Sequence, residues 1–213
     1  MKKSVILISI GIVLMVGALA LLFYNNNRIS EQKKEAIALE RELQEGKNPN
    51  ANLYKEIDKK IEDNKYDNRA DIIEKDTAIG VIRIDDIGVV IPIYDNTNPK
   101  SLIHGSGVVD TTDLPSSAKN TTCVLAGHRG GKNEHLSFIN IDRLKNGSVI
   151  KITTRDQVLF YEVYGQEVIE PTDWSKFTRE EDKTKLFLMA CHPYPKNDKR
   201  LLVESELKKV INK

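Results

Sequence analysis

AIGVIRID at residues 78–85 is followed by IGVVIPIYD at 87–95, two β-rich runs separated by a turn residue. Their Val, Ile and Tyr content and short length predict strands rather than helices. The same grammar recurs downstream in TTCVLAG (121–127), SVIKITT (148–154), QVLFYEVYG (157–165), KLFLMAC (185–191) and RLLVES (200–205). Seven or eight such runs between 77 and 213 predict a mostly β domain, a closed or nearly closed barrel. Asn146-Gly147 marks a tight turn, and HLSFINIDRLK at 135–145 has the apolar spacing of a short helix lying on the barrel. The connection from Gly165 to Lys183 is long and holds Pro171, Asp173 and Trp174, the one tryptophan of the chain. Long loops on a rigid barrel are common places for substrate recognition.

Upstream, residues 4–23 read SVILISIGIVLMVGALALLF, with no charge. Twenty helical residues match a hydrocarbon layer of roughly 30 Å. Lys2 and Lys3 precede the segment, so a cytoplasmic N-terminus and an extracellular body are expected. Ala18-Leu19-Ala20 resembles a signal-peptide cleavage site, but apolar residues continue through Leu21, Leu22 and Phe23, which favours a retained single-pass anchor. Residues 26–76 are rich in Asn, Glu, Lys, Asp and Gln. Within them Ile37, Leu39 and Leu43 look too sparse for a core, so a charged stalk is expected, with a solvated helix over 30–45 and a second charged helix over 52–64. The expected division is an anchor at 1–25, a stalk at 26–76 and a catalytic barrel at 77–213.

Of the 213 residues, 32 are Lys or Arg and 31 are Asp or Glu, a formal charge of +1. With no basic patch interleaved with aromatics, nucleic acid is not an expected partner. Cys123 and Cys191 cannot make a disulfide framework and do not have zinc spacing. Neither a metal nor a nucleotide cofactor is indicated. The acidic residues of 167–182 read as a solvated loop rather than a calcium site, with calcium dependence left open.

Cys191 ends the run LFLMA before His192-Pro193-Tyr194-Pro195 turns the chain, so it is expected at the exposed lip of a strand. His128 follows TTCVLAG and precedes a glycine-rich turn, which presents an imidazole from another strand end. A thiol needs to lose its proton to become a strong nucleophile, and an imidazole can take that proton and later protonate a leaving amine. Rival imidazoles are His104, His135 and His192. Alternation along a strand weakens His192, since neighbours point to opposite faces. Arg200 stands nine residues after Cys191, at the start of RLLVES. An intervening turn would return it beside the cysteine strand, where its permanent charge can hold an oxyanion; Lys199 and Arg129 are alternatives. Cys123, in the middle of a β-run, is expected to be buried and inert.

Taken together, AGHRG (126–130), LSFINIDRLKNG (136–147) and CHPYPKNDKRLLV (191–203) resemble the sortase family, over the chain from about Ile79 to Glu204. The resemblance implies an eight-stranded sortase barrel on the outer face of a Gram-positive cell. It further implies cleavage of an LPXTG-type sorting signal after its threonine, through a thioester on cysteine that an amine resolves. His128, Cys191 and Arg200 match the family's catalytic residues. The family usually has Thr-Leu-any-Thr before the cysteine, whereas this chain has Phe187-Leu188-Met189-Ala190; both hydroxyls are missing.

The motifs around Cys191 and His128 look most like class C, pilin-polymerising enzymes, which would use a pilin lysine as acceptor. No Asp-Pro-aromatic lid motif occurs in the stalk and SELKKVINK at 205–213 is not a second membrane helix. A class A-like enzyme using a cell-wall precursor amine therefore stays open. So do a hydrolase that gives the thioester to water and a membrane-tethered barrel that binds without catalysis.

Overall fold

The computed structural model describes residues 2–47, 77–130 and 138–213; within the first helix the side chains described are those of 10–24, 27 and 31–44. Eight strands close into a barrel in the order β1-β2-β3-β4-β7-β8-β6-β5. They are β1 (Ala78–Ile84), β2 (Val89–Tyr94), β3 (Ser106–Val108), β4 (Thr121–Ala126), β5 (Val149–Thr154), β6 (Gln157–Ile169), β7 (Thr184–His192) and β8 (Lys199–Asn212). All seven runs read from the sequence are strands. The eighth, β3, is three residues long and too short to carry a pattern. It is held by parallel pairing to β2 and antiparallel pairing to β4.

Inward positions follow the two-residue period. Leu186, Leu188 and Ala190 of β7 join Ile82, Ile91, Leu125, Ile150, Leu159 and Val203 in one core. The alternate residues of β7, Phe187 and Met189, lie on the outer face in a second apolar cluster with Val124, Ile169 and Leu202. Two strands exceed the expected runs: β6 extends to Ile169 and β8 to Asn212, because each is the other's antiparallel partner from Gln157↔Asn212 to Ile169↔Arg200. Pairing satisfies the backbone of polar stretches such as Gly165 to Glu167 and Glu206 to Lys209, which hydrophobic pattern alone leaves out.

The expected helix over 135–145 is corrected in its described part. Residues 135–137 lie outside the described residues, and the rest holds a 3₁₀ turn, Ile141–Arg143. Phe138, Ile141 and Leu144 are buried at three-residue spacing, the period of a 3₁₀ rather than an α-helix. Gly147, at φ 89°, makes the expected turn into β5. A short helix, α2 (Pro99–His104), fills the connection between β2 and β3.

The stalk is corrected more strongly. One helix, α1 (Lys2–Gln44), covers both the expected anchor and the first part of the stalk. Its last turns are docked on the barrel rather than solvated. Ala36 and Leu43 are buried against Val81 and Val90, with Ile37 and Leu39 packed beside them. Sequence counting judged these residues sparse, yet a helix needs only one stripe of them, and Ala36, Leu39, Glu40 and Leu43 share a face. Glu40 is only 3% exposed. It accepts hydrogen bonds from Arg83 Nε at 3.0 Å and from Thr153 at 3.4 Å, and it pairs with Lys151 at 2.7 Å. Lys213 donates to the carbonyl of Leu43 at 2.6 Å, which also accepts the Gly46 amide at 3.0 Å at the C-terminal end of the helix. Among the described residues no helix is long and apolar enough to cross a membrane; the side chains of 4–9 lie outside them. The second charged helix expected over 52–64 also lies outside the described residues.

Candidate active site

Cys191 sits near the C-terminal end of β7, half-buried, and Arg200 is the second residue of β8. The two are direct partners in the antiparallel ladder. Opposite residues in such a ladder are about 5 Å apart at their Cα atoms. The expectation that a turn returns the arginine beside the cysteine strand is therefore met in detail.

β4 runs parallel to β7, with Ala126 opposite Met189. The amide of Gly127 donates to the carbonyl of Met189 at 3.0 Å, which carries the ladder one step past the end of β4. His128 follows Ala126 by two residues, as Cys191 follows Met189, so each lies two positions beyond the last paired residues of the parallel ladder. The backbone of His128 is held outside any regular element by its carbonyl, which accepts the Phe138 amide at 2.8 Å. Its side chain is exposed. Gly127 has to be small, since a Cβ there would lie 2.6 Å from the buried Phe138 ring.

Arg200 donates from Nη1 to the carbonyl of Lys199 at 2.9 Å and of Asn197 at 3.4 Å. These contacts steer the guanidinium without neutralising it. The two alternatives are committed to carboxylates: Lys199 to Glu170, and Arg129 to Asp142 at 2.8 Å. Of the three cations weighed from sequence, Arg200 is the one without a carboxylate partner among the described residues.

The rival imidazoles lie elsewhere or are engaged. His104 lines a groove between α1 and β2, with Glu31, Gln32, Glu35 and Tyr94. His135 lies outside the described residues. His192 meets Arg129 through Nδ1. Cys123 is 2% exposed, and burial with the nearby Asp113 charge pushes its thiol far above the ordinary value. It is a core residue, as expected.

Ala190, where a threonine was expected by resemblance, is 2% exposed and belongs to the barrel core. The missing hydroxyl is thus a difference in packing. Cys191 alternates with it onto the outer face, beyond Met189 and Phe187. Phe177 stacks edge-on with both Trp174 and Phe187, which ties the 170–183 loop to the outer face of β7. Lys185 of β7 donates to Thr178 O and pairs with Glu180, both at 2.8 Å, and Arg179 pairs with Asp113 at 2.6 Å. Among the acidic residues from Glu167 to Asp182, Glu167 pairs with Lys176, Glu170 with Lys199, Glu180 with Lys185 and Asp182 with Lys119, while Asp173 accepts a hydrogen bond from Ser175.

Sequence reasoning did not find the contact between Arg129 and His192. Its signal was present, since each directly follows a residue chosen for chemistry, but adjacency gave no indication that their side chains meet.

The Sortase domain family model matches residues 82–208. A curated relative, sortase D of Bacillus subtilis (strain 168), is 26% identical over 121 residues, 57% of this chain and 58% of that protein. The match thus spans less than two thirds of the relative's length. Among solved structures, pilus island 1 sortase C2 of Group B Streptococcus is 34% identical with a TM-score of 0.61, covering 68% of this chain and 81% of that one. Clostridium perfringens sortase C, solved with a C-terminal cell wall sorting motif, is 27% identical with a TM-score of 0.60, covering 86% and 90%.

Proposed function

Because the chain belongs to the sortase family, we propose that it is a membrane-anchored cysteine transpeptidase that cleaves an LPXTG-like sorting signal and passes the acyl protein to an amine. The observation that supports this reading is the rung Cys191–Arg200 at the barrel rim, with the parallel β4–β7 ladder ending at Ala126↔Met189, two residues before each of His128 and Cys191.

In the proposed reaction the Cys191 thiolate attacks the threonine carbonyl of the signal. The carbonyl oxygen becomes negative, and Arg200 with backbone amides donates to it. Collapse breaks the threonine–glycine bond, and His128 gives its proton to the departing amine. The result is a thioester on Sγ. An acceptor amine then loses a proton to His128 as it attacks, and the Cys191 thiolate leaves, which restores the starting state of both groups. The outer face of β7, with half-buried Met189 and Ala126 below the Phe177 loop, offers the peptide an apolar bed leading to Cys191.

The acceptor is a pilin lysine or a cell-wall precursor amine. The likeness to sortase C structures favours the first. The uncharged run at 4–23 and the exposed apolar side chains from Ile10 to Phe23 support a single-pass anchor in the cell membrane, with the N-terminus cytoplasmic and the barrel outside. No cofactor enters the proposed chemistry.

Mass spectrometry of the full chain in detergent, incubated with an LPXTG-type peptide, tests the reading. The expected result is a thioester adduct on Cys191, with a transpeptidation product that appears on adding an amine. Cleavage unchanged by amine would favour the hydrolase, and an unmodified Cys191 with intact peptide would favour a binding protein.

A further inference from the structure

Arg129 is a nearly buried cation with three partners on two segments, its side chain 7% exposed. Its Nη2 pairs with Asp142 at 2.8 Å and its Nε donates to the Ile139 carbonyl at 3.3 Å, both in the turn after Phe138. Its Nη1 meets His192 Nδ1 at the end of β7. The same turn holds the backbone of His128, through the Phe138 amide. A second contact joins the same two segments: Gly130, at φ 94°, has the Tyr194 ring against it, 2.5 Å from where a Cβ would stand.

Arg129 and His192 are the immediate neighbours of His128 and Cys191. The parallel ladder ends at Gly127, so beyond it the relative position of the two proposed reacting groups rests on contacts between the loop and the strand end. A guanidinium has donors and no acceptor. The His192 nitrogen it meets is therefore the ring's acceptor, and the ring proton resides on Nε2.

We infer that Arg129 is a positioning residue of this site: by bridging Asp142 and His192 it sets the spacing between the loop that carries His128 and the strand end that carries Cys191, and it selects the Nε2–H form of His192. The inference rests on the proposed roles of Cys191 and His128. It assigns Arg129 no contact with substrate.

Arg129→Met removes all three donors, while His192→Leu cuts one end of the tie and leaves the Asp142 pair in place. The full chain in detergent is measured in three ways. With an LPXTG-type peptide and an amine, each variant is expected to lower kcat about tenfold or more with KM within about threefold, a split that marks loss of geometry rather than of binding. Arg129→Lys is expected to recover part of the loss, and the double variant to be no worse than Arg129→Met. Iodoacetamide labelling of Cys191, which needs no peptide, is expected to slow about tenfold in both single variants. Nitrogen-15 spectra of the histidines are expected to show His192 protonated at Nε2 in the wild type and a tautomer mixture in Arg129→Met.

Wild-type kcat and labelling rate in a folded Arg129→Met or His192→Leu chain would overturn the inference, as would a wild-type His192 protonated at Nδ1. If Arg129→Met does not fold, His192→Leu decides alone. A wild-type chain that never acylates Cys191 sinks the proposed reaction instead, and the labelling rates and spectra then decide the positioning role by themselves.

Discussion

Cys191 and Arg200 occupy one rung of the β7–β8 ladder, each the other's direct partner. Neither can move along its strand without breaking a continuous register that runs from Lys185↔Glu206 to His192↔Lys199. The spacing between the proposed nucleophile and the proposed oxyanion donor is thus set by main-chain hydrogen bonds. Arg200→Ala is expected to lower turnover about a hundredfold or more with little loss of stability, and Cys191→Ala to abolish cleavage and transfer. Steady-state assays with an LPXTG-type peptide and amine check both. Near-normal turnover in either variant would remove the pair from the mechanism.

The two cysteines are expected to behave oppositely. Cys123 is buried and its thiol is held protonated by its surroundings, while Cys191 is half-buried at the rim. Brief treatment of the folded chain with iodoacetamide is expected to give one adduct, on Cys191, and treatment in urea to give two. Labelling of Cys123 in the folded chain would show that the barrel opens at β4.

Glu40 links stability to pH. Burial raises its carboxyl, but hydrogen bonds from Arg83 and Lys151 and the charges of both outweigh burial and hold it below its ordinary 4.5. A carboxyl lowered in the folded state stabilises fully above its unfolded value, and the contribution is lost as pH falls through the folded value. Glu40→Gln leaves Arg83 and Lys151 facing a neutral amide, at a cost of about 2 kcal/mol near neutrality; both cations are partly solvated, which relieves some of the penalty. Chemical denaturation of the two chains from pH 7 downward is expected to show the gap closing below about pH 4.5. A gap that stays constant to pH 3 would mean that the Glu40 charge contributes nothing.

Gly127 is the closest packing point behind His128. Gly127→Ala would set a methyl 2.6 Å from the Phe138 ring, itself fully buried. Overpacking of this kind costs about 1–3 kcal/mol. The expected outcome is a lower melting temperature together with reduced turnover, and Phe138→Leu in the same chain is expected to restore part of both. A Gly127→Ala chain as stable as the wild type would show that the loop is free to shift.

Much of the barrel was legible because seven strands carry β-branched or alternating runs that the two-residue period exposes. β3 was not, since three residues hold no period, and the far halves of β6 and β8 were not, since their polar residues are fixed by pairing with each other. The rim residues were legible through their position at strand ends, and Arg200 could be placed by counting across a turn. The docked half of α1 was misread for a physical reason: Ala36 and Glu40 are poor hydrophobic markers, and a carboxylate becomes a core-facing residue only when Arg83 and Lys151 arrive from strands that the helix pattern cannot see. The Arg129–His192 contact was hidden in the same way, being made between a loop and the last residue of β7.

Docking of α1 bears on how far the enzyme can reach. From Tyr24 to Glu40 the helix rises about 24 Å at 1.5 Å per residue. With the apolar half in the bilayer as proposed, the barrel rides on a rigid post instead of a loose tether, and its rim scans a shell at one altitude above the lipid. A substrate rooted in the same membrane would meet that rim by lateral diffusion only if its own signal sits at the matching altitude. The length of one helix would then act as a ruler that sorts substrates before any side chain touches them.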